Sequence, residues 1–148
     1  MITYHDLHQQ NHKITELSNV LTVLLKDRSL CDSTVTCDLF FQYIDLVKTH
    51  LEITDTHLYG QLLSHADSRV NNTAKLFMSG AQEIRRILNS YLKKWCNLGH
   101  KELRVKNYDD FTQETGEIFE IVLGRIQQET ERLYPLVREV TGHQQKIT

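Results

Sequence analysis

The chain has 148 residues, 40% of them hydrophobic and 24% charged, enough for one globular domain and too apolar for a disordered segment. The 17 Lys and Arg against 19 Asp and Glu leave a net charge of −2, which gives no basic footprint for nucleic acid. With six Gly, one Pro and no apolar run near the ~18 residues of a membrane span, hairpin-rich β folds and membrane-spanning helices are excluded as expectations. The opening MITYHDLHQQ lacks the apolar stretch of a signal peptide. Three cysteines, Cys31, Cys37 and Cys96, stand at no metal-finger spacing and suit a reducing compartment, so a cytoplasmic protein is expected.

Periodicity divides the chain into four long helices. The first, about 4–27, opens on a capping-box pattern, Thr3 with Asp6, and carries Leu7, Ile14, Leu17, Leu21 and Leu24. After a polar joint, the second, about 37–64, shows Phe40, Tyr43, Ile44, Val47, Leu51 and Leu58 on one stripe. The third, about 73–98, has Asn72 as its expected N-cap, runs through Phe77, Ala81, Ile84, Leu88, Tyr91 and Trp95, and meets Gly99 where a helix-ending glycine belongs. The fourth, about 110–141, opens on Asp110 with Gln113 and carries Phe111, Phe119, Val122, Ile126, Leu133 and Val137. The polar tail from Gly142 is expected to fray. Four such helices with short joints predict an all-α, up-down-up-down antiparallel four-helix bundle in a single domain. Helices two and four also repeat at an offset of 75 residues, Val47–Gly60 against Val122–Pro135.

Helical phase at ~100° per residue sorts the polar residues. His8 and His12 fall away from the first stripe and read as solvated, whereas Gln10 and Asn11 lie nearer to it. On the second helix His50 points into or beside the core, Thr54 lies almost on the stripe axis, and Asp55 and His57 lie to either side. A buried imidazole must place both ring nitrogens, on hydrogen-bond partners or on a metal. On the fourth helix Glu129 sits at the core edge, four residues from Arg125. The two either pair on the surface or enter a buried cluster with His50, because a buried carboxylate needs such a partner.

HLEITDTHLYG (50–60) and RIQQETERLYPLV (125–137) resemble the two repeated motifs of the hemerythrin-like, or HHE cation-binding, family, and LHQQNHKITEL resembles its first helix. The resemblance implies a four-helix bundle that holds two irons on inward His and carboxylate ligands, in proteins that carry dioxygen, sense oxygen or redox state, or handle iron. Within it His50 keeps a motif histidine and Glu129 a motif glutamate. Thr54 stands in the place of a glutamate, with Asp55 one residue on as a substitute, and Arg125 stands in the place of a histidine. Asn11 takes the first-helix ligand position, with His12 one residue out of register.

Two expectations follow. In the first, the bundle is a non-enzymatic regulatory or binding module without a cofactor, in which His50, Thr54, Arg125 and Glu129 form a core polar cluster instead of a metal site. In the second, iron binds an atypical site built from His50, Asp55 and Glu129, with His12 or His57, for oxygen or redox sensing or iron handling. Leu63, Met78 and Leu92 fall off the stripes and are candidate homodimer contacts, and a protein partner is left unidentified. An enzyme is not expected, since the chain has no Gly-rich phosphate loop or nucleophile elbow. Cys31 and Cys37, six apart, read as ordinary free thiols.

Overall fold

Thr3 and Asp6 start the first helix as their spacing predicts. The Thr3 hydroxyl accepts the Asp6 amide at 3.1 Å, and the Asp6 carboxylate accepts the Thr3 amide at 3.0 Å. In this computed structural model, which describes residues 3–142, that helix is α1, Tyr4–Leu25. The tail expected beyond Gly142 lies outside the described residues. Ser33 caps α2, Thr34–His57, and after a break at Leu58 the short α3, Tyr59–Leu63, follows. Next come α4, Ser68–Trp95, and a two-stranded antiparallel ribbon of β1, Cys96–Asn97, and β2, Glu102–Leu103. Then α5, Tyr108–Gln128, passes through a π-helical turn, Glu129–Leu133, into α6, Tyr134–Thr141. The protein is all-helical apart from the ribbon, and no helix among the described residues is long and apolar enough to cross a membrane.

Several boundaries differ from the expected ones. The N-cap of α4 is Asp67 and not Asn72, because the Asp67 carboxylate accepts the Arg69 amide at 2.9 Å and so starts the helix a turn sooner. Gly99 ends no helix: Cys96 turns extended, and the Arg104 amide bonds the Trp95 carbonyl at 2.6 Å to close the ribbon. Asn107, and not Asp110, caps α5, accepting the Asp110 amide at 3.1 Å. Leu92 is not an outward residue but 1% exposed in the core, while Leu63 and Met78 are partly buried against their own cluster.

Both repeats are interrupted at the same step. The first breaks at Leu58, just before Tyr59, and the second takes its π turn just before Tyr134. Pro135 accounts for the second irregularity, since it has no N–H for the helical ladder and its ring crowds the carbonyl four residues back. Gly60, a poor helix former, stands at the matching place in the first.

The core is two apolar clusters with a polar layer at their junction. One holds Phe40, Tyr43, Ile44, Leu88, Trp95, Phe111 and Phe119, the other Leu7, Leu58, Leu62, Phe77, Leu133 and Val137. Along α1 the buried Asn11 falls between Leu7 of one cluster and Ile14 of the other. Along α2, His50 and Thr54 fall near the same divide, and Glu129 falls between Val122 and Leu133. Burial of each large apolar side chain contributes about 1.5–3 kcal/mol, so the clusters fix the helices and thereby the polar layer.

Candidate functional site

At the junction, His50, Arg125 and Glu129 meet in a buried cluster. Glu129 is fully buried and the His50 and Arg125 side chains are 4% and 9% exposed, so their charges and dipoles act with little water to screen them. The His50 Nε2 lies 2.6 Å from Glu129 Oε1, and its Nδ1 lies 3.1 Å from Gln10 Oε1. Arg125 donates from Nε to Glu129 Oε2 at 2.9 Å and from Nη1 to the Phe77 carbonyl at 2.9 Å, and its Nη2 bonds the Tyr59 hydroxyl. The Tyr134 hydroxyl donates to Glu129 Oε1 at 3.3 Å and accepts from Asn11 Nδ2 at 3.2 Å.

Burial alone would raise the Glu129 carboxyl. The His50 hydrogen bond and charge, with the Arg125 guanidinium, outweigh it and hold the group below the usual carboxylate range. Glu129 is therefore a carboxylate at neutral pH, and His50 Nε2–H donates to it. Burial pushes the Tyr134 hydroxyl far up, with the Glu129 charge adding to it, and pushes Tyr59 up as well, so both tyrosines are neutral hydrogen-bonding groups.

Each expected residue has a definite place. His50, Arg125 and Glu129 come together; Thr54 is fully buried near them and donates its hydroxyl to the Leu51 carbonyl at 2.9 Å. Asp55 does not join: it is exposed and paired with Arg85 of α4. His12 is on the surface, 3.0 Å from Glu16, and His57 is half-buried at the end of α2. His8 is exposed, its ring edge-on to Tyr134 at 5.8 Å. Among the described residues no three His, Cys, Asp or Glu side chains are grouped to hold a metal ion.

The cluster takes in four residues beyond the expected set, Gln10, Asn11, Tyr59 and Tyr134, of which helical phase places Gln10 and Asn11 near the first stripe. The 75-residue repeat carries a signal for two of them, because it pairs Tyr59 with Tyr134 as it pairs His50 with Arg125. Gly80 is a further unpredicted contributor. A Cβ there would stand 3.0 Å from Arg125 Nη1, so its absence lets the guanidinium lie against α4, with the Phe77 ring 4.9 Å away. Chemically the cluster ties α1 to α6 and the π turn around one carboxylate. Compared with protein-family models, curated proteins and solved structures, the chain matches none.

Proposed function

We propose that the chain is a hemerythrin-like bundle of up-down-up-down topology, acting in the cytoplasm as a non-enzymatic regulatory or binding module for a protein partner. The cluster of His50, Arg125 and Glu129 takes the part that two irons play in that family. The observation that carries this reading is the Arg125 guanidinium on Glu129 Oε2 at 2.9 Å. It puts a positive charge against the carboxylate a dication would need, where electrostatics opposes a second cation. Both Glu129 oxygens and both His50 nitrogens already have hydrogen-bond partners, and Asp55 is spent on Arg85 at the surface. A two-iron centre does not fit these residues.

Metal analysis of tag-free protein after anaerobic iron(II) loading, with its visible spectrum, tests the reading. The expected result is no stoichiometric iron and no bridged-iron absorption. Iron that stays with the protein and is lost in both His50→Ala and Glu129→Ala would overturn it in favour of an atypical iron site for sensing or storage.

A further inference from the structure

Beside the row that enters the core, α1 carries a second apolar row. Leu17, Val20 and Leu24 stand three and four residues apart, so at ~100° per residue they share one side of the helix. Val20 is 47% exposed and Val23, on the flank of the row, is 68% exposed, while Leu17 and Leu24 are partly buried. A furrow of about 790 Å³ runs beside them between α1 and α2, lined by Leu17, Val20 and Leu46 with Lys13, Glu16 and Asp45 among its polar residues. Single exposed apolar residues are ordinary, but a row of them along a furrow is what an interface leaves uncovered.

The same spacing reaches Lys13, seven residues before Val20, and Asp27, seven residues after it. Lys26 keeps helical angles, φ −69° and ψ −23°, and so carries the row past the end of α1 at Leu25. The five positions follow one another at steps of four, three, four and three residues, the repeat by which one helix seats on another. Lys13 and Asp27 are exposed, and among the described residues neither forms an ion pair. Asp27 accepts the Ser29 amide at 2.9 Å and hydroxyl at 2.6 Å, both on Oδ1.

These charges are placed for a second copy of this chain. A two-fold axis through Val20, perpendicular to α1, lays the helix antiparallel on its counterpart, so each residue before Val20 meets the one equally far after it. Val20 then meets Val20, Leu17 meets Val23 and Leu24, and Lys13 meets Asp27 at both ends. Laid parallel, Lys13 would face Lys13 and Asp27 would face Asp27, and like charges opposed destabilise by as much as opposite ones stabilise. Glu16, on the flank, is already paired with His12 at 3.0 Å.

We infer that the chain forms a two-fold symmetric homodimer, α1 against α1 about Val20, with Lys13 of each copy paired to Asp27 of the other. This goes beyond the proposed module function and does not depend on it. The pairing face is not the one expected from Leu63, Met78 and Leu92, which lie in the core or against it. The row from Lys13 to Asp27 is only ~21 Å long, so the contact is at the small end of specific interfaces and the dimer dissociates on dilution.

Sedimentation equilibrium of the full-length protein from low micromolar to millimolar concentration is the test. The expected result is a reversible monomer–dimer equilibrium, from 17.4 kDa to twice that mass. Val20→Glu should keep the chain monomeric throughout, with the circular dichroism and thermal midpoint of dilute wild type, because the replaced side chain lies at the surface. Lys13→Asp and Asp27→Lys should each weaken dimerisation about tenfold, since each turns two attractive pairs into repulsive ones. The double variant, with the charges exchanged, should regain wild-type affinity. A wild-type chain that stays monomeric at millimolar concentration would overturn the dimer and leave the furrow to a helix of another protein. A dimer that survives Val20→Glu, or a double variant no tighter than the single ones, would overturn α1 as its interface.

Discussion

Glu129 depends closely on its neighbours, because it is a fully buried carboxylate to which His50, Arg125 and Tyr134 all bond. Removing one partner of a buried ion pair strands the other, which costs about 3–5 kcal/mol. Arg125→Ala should therefore lower stability by that order in urea unfolding at neutral pH, and Glu129→Gln, which strands the largely buried Arg125 guanidinium instead, should cost a comparable amount. The pH dependence follows from the direction of the Glu129 shift. Its carboxyl titrates lower in the folded chain than in the unfolded one. The stability it contributes is thus present above the ordinary carboxylate pKa and lost as pH falls through its folded pKa. The gap in unfolding free energy between wild type and Glu129→Gln should narrow on acidification, and a gap constant from neutral to acid pH would contradict the assignment. Gly80→Ala gives an independent check on Arg125, since the new methyl must displace the guanidinium or shift α4. A loss of about 1–3 kcal/mol is expected, and much less of it when Arg125 is already Ala.

The π turn at Glu129–Leu133 is the element that sets the cluster's phase. It holds one residue more than an α-helical turn, which moves Leu133, Tyr134 and Val137 around the axis so that all three are buried while Glu129 still faces inward. Deleting Thr130, an exposed residue of the turn, should restore an α-helical ladder and leave everything after it in nearly the same phase, since five residues of a π turn and four of an α-helix sweep nearly the same angle. Tyr134 should keep Glu129 and Leu133 should stay in the core, so thermal unfolding should remain cooperative. Loss of cooperative unfolding would show that the π turn itself is needed to hold the cluster. The sequence carries this irregularity only in part. Apolar spacing alone yields the four long helices and the inward phase of His50 and Glu129, because burial of one face dominates both. It cannot yield the break at Leu58, the π turn or the ribbon, because they arise from Pro135, from a poor helix former and from a backbone bond across the Trp95–Arg104 turn. Nor does helical phase disclose which carboxylate reaches the histidine. Asp55 and Glu129 are both near the core edge by phase, and only the packing of α4 beside α2 sends Asp55 to Arg85.

At the scale of the whole molecule, the polar layer divides a core that would otherwise be continuous, and that division bears on whether the cluster serves stability or something else. Buried ion pairs seldom stabilise more than well-packed apolar groups of similar volume, since desolvation offsets most of the attraction. If the cluster were kept for stability alone, replacing it wholesale should be harmful; if it is kept for a binding or regulatory role, the replacement should leave a sound fold. The variant Asn11→Leu, His50→Leu, Arg125→Met, Glu129→Met with Tyr134→Phe removes every charge and most of the hydrogen-bonding groups that would be orphaned, and joins the two apolar clusters. Three of these side chains are at most 5% exposed and Tyr134 is 2% exposed, so the new apolar surface stays inside. We expect this chain to unfold cooperatively with stability equal to wild type or about 1–4 kcal/mol higher, in contrast to the single Arg125→Ala. Chemical denaturation of both variants beside wild type is the measurement. A fivefold variant as unstable as Arg125→Ala would mean that the hydrogen-bond network itself specifies how the helices pack.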